Sequence, residues 1–98
     1  MGAGNMAPGD GPTRLIVLGS TGSIGVQTLE VVRALNATRP GAKFEIVALA
    51  AKKNADLLAA QAQEFGVKAT AVADRDGPDS VLRLVEQNEC DLLVSAMV

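Results

Sequence analysis

Four short apolar runs alternate along the chain with three stretches in which apolar side chains recur every three or four residues. The first run, Arg14-Leu-Ile-Val-Leu18, is nearly continuous, the pattern of a strand covered on both faces in a parallel sheet. Gly19 to Gly25 is a turn of Gly, Ser and Thr. Ile24, Thr28, Val31, Val32 and Leu35 then fall at helical spacing and predict a helix over 23–35. Arg39-Pro-Gly41 reads as a loop, and Phe44-Glu-Ile-Val-Ala-Leu-Ala50 as a second strand. Asn54 can cap a second helix with Leu57, Leu58, Ala62 and Phe65 on its inner face and Gly66 as its stop. Ala69-Thr-Ala-Val72 is a short third strand, and Gly77-Pro78 breaks the chain. Asp79 or Ser80 can cap a third helix carrying Val81, Leu82, Leu84 and Val85, and Asp91-Leu-Leu-Val-Ser-Ala-Met-Val98 is a fourth strand.

The order βαβαβαβ specifies an α/β fold with a parallel sheet and right-handed crossovers. The expected architecture is a Rossmann-like, doubly wound sheet of about four strands in the order 3-2-1-4. Such a fold continues past its fourth strand, so 14–98 is expected to be an incomplete, truncated domain. Residues 1–13 read as a flexible leader in which Met6 could be the native start behind a short tag.

Length and composition narrow the function classes. A chain of 98 residues forms one domain that buries a little over ~60% of its unfolded surface. Apolar residues are 48% and charged residues 20%, a globular balance. Phe44 and Phe65 are the only aromatics, so the core must be built from Val, Leu, Ile and Ala. The net charge is -2, and no basic stripe exists to follow a nucleic-acid backbone. No run approaches the ~18 apolar residues of a membrane span, and the Gly-rich start lacks the apolar core of a signal peptide. One cysteine, Cys90, cannot make an internal disulfide, and the expected location is a reducing cytoplasm. Histidine is absent, which removes the usual general base and the commonest transition-metal ligand.

The turn after the first strand carries the chemistry. Gly19-Ser-Thr-Gly-Ser-Ile-Gly25 is G-x-x-G-x-x-G between a buried strand and an amphipathic helix. Gly19 permits the tight turn, Gly22 lets the backbone approach a pyrophosphate, and Gly25 lets the helix pack close to the strand. Free N–H groups at the helix start then face the phosphates, with the Thr21 and Ser23 hydroxyls as further donors. The spacing alone is shared by many nucleotide-binding families. A second feature lies at the end of the second strand. NAD-specific domains usually place an acid there for the ribose hydroxyls, whereas this chain has Ala50-Ala-Lys-Lys-Asn54. Lys52, Lys53 and Asn54 suit a 2′-phosphate, so NADP is favoured over NAD; the plainer alternative is a solvated lysine loop with Asn54 as a helix cap.

Leu18-Gly-Ser-Thr-Gly-Ser-Ile-Gly25 followed by Thr28-Leu-Glu-Val-Val32 closely resembles the opening of the 1-deoxy-D-xylulose 5-phosphate reductoisomerase family. Phe44, Val47-Ala-Leu49, Asn54, Gln61-Ala-Gln-Glu-Phe65 and the run from Asp91 extend the likeness across roughly 14–98. The resemblance implies that 14–98 is the NADPH-binding domain and that the catalytic and C-terminal domains are absent. It implies that Thr21, Gly22, Ser23 and Ile24 contact the pyrophosphate and adjoining ribose of NADPH, and that Lys52, Lys53 and Asn54 hold the 2′-phosphate. It further implies an oxidoreductase of non-mevalonate isoprenoid synthesis. Such an enzyme rearranges 1-deoxy-D-xylulose 5-phosphate and reduces the product to 2-C-methyl-D-erythritol 4-phosphate. It uses NADPH with Mn²⁺ or Mg²⁺, usually as a homodimer. Catalytic and metal-binding residues would then lie outside this chain, which alone would be inactive. Two departures stand out. The family commonly has glycine at the position of Lys52, where a positive φ would strain lysine. It also usually has more chain between the third strand and the last helix than Asp74-Arg-Asp-Gly-Pro-Asp79 provides.

The remaining polar residues have simpler readings. Asp74, Asp76 and Asp79 are solvated turn and cap residues rather than a metal site. Cys90 is inert and precedes a buried strand, Glu30 and Glu45 are surface charges, and Met97 is core. Two rival functions are the NADP-binding domain of another oxidoreductase, such as a semialdehyde dehydrogenase, and a non-catalytic nucleotide-binding module.

Overall fold

In the computed structural model, which describes residues 12–38 and 43–96, strands and helices alternate along the chain. The elements are β1 (Thr13–Leu18), α1 (Ser23–Thr38), β2 (Phe44–Ala51), α2 (Ala55–Phe65), β3 (Ala69–Val72), α3 (Ala73–Asp76), α4 (Asp79–Gln87) and β4 (Leu92–Ser95). The four strands form one parallel sheet in the order β3-β2-β1-β4, as the alternation predicts. Alternate side chains of β1 feed two cores. Leu15 and Val17 join Leu29 and Val32 of α1 and Leu58 and Ala62 of α2 on one face. Ile16, with Ala48, Ala50 and Ala71, meets Leu84 of α4 on the other. The alanines keep the second face shallow, so a nine-residue helix covers it. The β1–β2 register shifts between Leu15 and Ile16, which pair with Ile46 and Ala48, leaving Val47 as an extra residue.

Several elements depart from the sequence pattern. Thr13 belongs to β1 rather than to the leader, and its N–H donates to Lys43 O at 2.9 Å. Helix α1 runs one turn past Leu35, where the Asn36 carboxamide pairs with both the N–H and the C=O of Phe44 and ties the helix end to β2. Its buried line is Gly25, Leu29 and Val32, while Ile24 and Val31 are exposed. The close seat of Gly25 on the turn before it sets this rotation, which the apolar spacing does not reveal. In α2 the inward residues are Leu58, Gln61 and Ala62, and Leu57 is exposed. Gly66 ends α2 as foreseen, with φ 68°.

The helical turn α3 forms where the sequence pattern predicts a solvated turn. The Asp76 carboxylate folds back to accept the Val72 N–H at 2.9 Å. Neither Asp79 nor Ser80 caps α4: Pro78 holds that position, and the buried Ser80 hydroxyl donates to Gly77 O at 2.7 Å. Strand β4, at the sheet edge, is shorter than expected and is not buried: Leu92 and Leu93 are 51% and 44% exposed, whereas Ala71 and Val72 of the other edge strand, β3, are buried. Cys90 before it is half-buried against the second core. Residues 1–11, the expected loop at 39–41, and Met97 and Val98 lie outside the described residues.

Candidate functional site

The chain turns sharply at the carboxyl end of β1. Gly19 takes φ 82°, a conformation that glycine adopts without strain. The N–H groups of Gly19 and Ser20 both donate to Ala50 O, at 2.8 and 3.0 Å, which ties the turn to the end of β2. A Cβ on Gly25 would lie 2.0 Å from Gly19 O, so no side chain fits where α1 meets the turn. Gly22 differs. It is exposed, and a Cβ there would meet only Gly19 O, at an ordinary 3.6 Å. The fold itself does not require glycine at that position.

The turn leaves donors unused. Gly22 N–H donates to Gly19 O and Val26 N–H to Gly22 O, but the amides of Thr21, Ser23 and Ile24 find no acceptor among the described residues. No acid stands in the first turn of the 16-residue α1. Free amides at the positive end of a helix dipole, with no competing carboxylate, make an anion site.

The second wall of the site is the β2–α2 connection. It is braced at three successive residues: Lys52 O accepts from Asp74 N at 2.8 Å, Lys53 O from Ala55 N at 2.9 Å, and the Asn54 side-chain Oδ1 from Leu57 N at 3.1 Å. Asn54 therefore does cap α2, and its amide nitrogen remains available to an acceptor. Lys52 and Lys53 are exposed, and no carboxylate pairs with either among the described residues. Together the two connections line a cleft of about 210 Å³ formed by Gly19, Thr21, Gly22, Lys52, Lys53, Asn54 and Ala96. It opens at the carboxyl ends of the strands, beside β1, where the order 3-2-1-4 reverses; open α/β sheets bind their ligands there.

Five of the seven residues singled out in the sequence thus meet in one cleft: Thr21, Gly22, Lys52, Lys53 and Asn54. Ser23 and Ile24 lie outside its lining, in the first turn of α1, where Ile24 O accepts the Thr28 hydroxyl at 2.9 Å. Both carry backbone amides with no acceptor among the described residues. The sequence reading missed Ala96, held by its N–H on Leu18 O at 2.7 Å, and the buried pair Ser20–Gln61 behind the turn. A glutamine on the apolar line of α2, three residues after Leu58 and beside Ala62, was the available signal for the pair.

The strongest ion pairs lie away from the cleft. Arg75 and the Val72 N–H hold the Asp76 carboxyl down to about 2. Arg33, in a two-pronged pair, lowers Glu64, and the Arg14 N–H lowers Asp91. Among the described residues no three His, Cys, Asp or Glu side chains converge as metal ligands, and Asp76 is engaged by Arg75. A larger groove of about 490 Å³ runs between α2 and β3, lined by Leu58, Ala62 and Val72 among others. It has neither the glycine turn nor the free amides, so the smaller cleft is the better anion site.

Comparison with known proteins agrees with this geometry. The family model of 1-deoxy-D-xylulose 5-phosphate reductoisomerase matches residues 15–98. The reductoisomerase of Mycolicibacterium smegmatis is 48% identical over 100 residues, covering 90% of this chain and 24% of the relative. That of Rhodococcus jostii is 45% identical, covering 89% and 24%. The chain therefore spans about a quarter of the length of these relatives. A solved reductoisomerase from Zymomonas mobilis in complex with NADPH superposes with a TM-score of 0.56 at 28% identity, covering 88% of this chain and 21% of that one. A second, in complex with magnesium, shares the fold at a TM-score of 0.57 and 24% identity, covering 88% and 20%. By the match from residue 15 to residue 98, this chain belongs to the 1-deoxy-D-xylulose 5-phosphate reductoisomerase family.

Proposed function

We propose that residues 14–98 are the NADPH-binding part of an enzyme that isomerises and reduces 1-deoxy-D-xylulose 5-phosphate to 2-C-methyl-D-erythritol 4-phosphate, in non-mevalonate isoprenoid synthesis. One observation carries this reading: a glycine turn with unpaired amides faces two lysines across a single cleft, neither lysine having a carboxylate partner among the described residues. The amides of Thr21, Ser23 and Ile24 take the pyrophosphate oxygens, and bare Gly22 lets them come within hydrogen-bond reach. Lys52, Lys53 and the Asn54 carboxamide take the 2′-phosphate. Bound NADPH supplies the hydride for the reduction. This chain's residues hold the cofactor by its two phosphate centres and so fix the direction in which the nicotinamide leaves the cleft.

The Zymomonas mobilis relative, solved in complex with NADPH, supports the cofactor. The family match makes another oxidoreductase or a non-catalytic module the weaker reading. The described residues do not fit a divalent ion. In the longer protein Mn²⁺ or Mg²⁺ would be held by other residues, in a cytoplasmic homodimer. The test is a turnover assay with substrate, NADPH and Mn²⁺, followed at the reduced-nicotinamide absorbance. A longer protein containing this chain should oxidise NADPH only with both substrate and metal present, and the 98-residue chain should not. Turnover by the short chain, or none by the long one, would overturn the assignment.

A further inference from the structure

The pair behind the glycine turn is an unusual use of a core position. Ser20 is fully buried and Gln61 nearly so. The Ser20 hydroxyl donates to Gln61 Oε1 at 2.7 Å, and Gln61 Nε2 donates back to Ser20 O at 2.9 Å. Methionine or leucine would fill this line of α2 without the desolvation cost of a carboxamide. The closed ring of two bonds does something an apolar residue cannot: it grips a main-chain carbonyl of the turn. A trans peptide is planar, with its C=O and N–H directed oppositely. With Ser20 O held toward α2, the Thr21 N–H is turned the other way. Thr21 lines the cleft, and its amide has no acceptor among the described residues.

We infer that Gln61 is a positioning residue for the anion loop: it fixes the Ser20–Thr21 peptide so that the Thr21 N–H is presented to the phosphate-bearing ligand. This rests on the proposed NADPH reading and adds a link between its two subsites, since α2 carries Gln61 and begins at the Lys52–Asn54 wall. Without the grip the peptide can rotate, and one phosphate donor is lost or must be reordered on binding. The loss falls on the part that NADPH and NADH share. It is therefore equal for both, unlike the loss of a lysine.

Gln61→Met removes both bonds at similar volume. Gln61→Glu offers a built-in rescue: a protonated carboxyl can donate to Ser20 O and accept from the Ser20 hydroxyl, whereas a carboxylate cannot donate. Calorimetric titrations well below each chain's melting midpoint separate positioning from stability, because a folded fraction near unity leaves the dissociation constant unaffected by lost stability. Gln61→Met should weaken NADPH and NADH by the same factor, about tenfold, the effect of one charge-assisted donor. Gln61→Glu should match that loss at pH 8 and recover toward wild type, relative to wild type at the same pH, at pH 5.5. In the wild-type chain, NADPH should shift the Thr21 amide resonance strongly. Unchanged affinity in Gln61→Met, or loss confined to NADPH, overturns the inference. So does a wild-type Thr21 resonance that does not move, even if neither variant folds. Wild type binding neither cofactor overturns the functional reading itself, and the inference with it.

Discussion

The two walls of the cleft are held in different ways. The glycine turn is braced from behind by Ala50 O, by the Ser20–Gln61 ring and by the backbone of α1 at Gly25, and it presents main-chain donors. The lysine wall has an equally braced backbone, but it presents long, solvated side chains. On the proposed reading, rigid amides, preorganised and weakly screened, would set whether a pyrophosphate binds at all. Mobile ammonium groups lose entropy on binding and are screened by salt, so they would set which cofactor is preferred. Affinity and selectivity would then be separated in space and could be broken one at a time.

The largest effect is expected within the turn, between its two later glycines. Gly25→Val should abolish cooperative folding, because its Cβ alone would sit 2.0 Å from Gly19 O and 2.6 Å from Ser20 Cα. Gly22→Val should leave a folded chain, with a melting midpoint within a few degrees of wild type, yet reduce NADPH affinity by roughly two orders of magnitude or more, since the loss covers several charge-assisted bonds. Melting curves and titrations of the two variants test this directly. A Gly22→Val chain that binds normally would remove the turn from the site.

On the lysine wall a smaller and selective effect is expected. Lys53→Ala should weaken NADPH about tenfold, the scale of one charge-assisted contact, and leave NADH nearly unchanged. Raising the ionic strength from 0.05 to about 0.5 M should shrink the difference, as the Debye length falls below ~10 Å. Equal weakening of both cofactors would move Lys53 from the selectivity wall to a role common to both.

The smallest effect is on acid stability. Folding holds Asp76 at about 2 through Arg75 and the Val72 N–H, and lowers Glu64 and Asp91 by their arginine contacts. Carboxyls lowered by folding contribute stability above their unfolded values, near 4, and lose it as pH falls through the folded ones. Melting midpoints should be level from about pH 7 to 5 and decline between about 4 and 2, modestly because these pairs are exposed. A midpoint that rises on acidification would contradict the assigned pairs.

Much of the fold was legible because alternation of apolar runs and helical stripes is dictated by burial on both faces of a parallel sheet. The strand order, the start of β2 and the ends of α2 and β3 follow from it, and the roles of Gly19 and Gly25 from the spacing of the turn. The rotation of α1 was not legible: Ile24 and Val31 fit a stripe as well as Leu29 and Val32 do, and only the contact of Gly25 decides between them. The exposure of β4 was hidden as well, since a run of apolar residues looks the same whether or not its faces are covered. In the site, five residues of the cleft could be read from turn chemistry and charge. Gln61 stood out only as a polar residue on the apolar line of α2, because its partner, Ser20, is 41 residues away.

The most direct test of the central claim is calorimetric titration of the wild-type chain with NADPH and with NADH at low ionic strength. A 2′-phosphate met by Lys52, Lys53 and Asn54 predicts NADPH to bind tighter by roughly ten- to a hundredfold. Equal affinities would contradict the assignment of the lysine wall and the preference for NADPH with it.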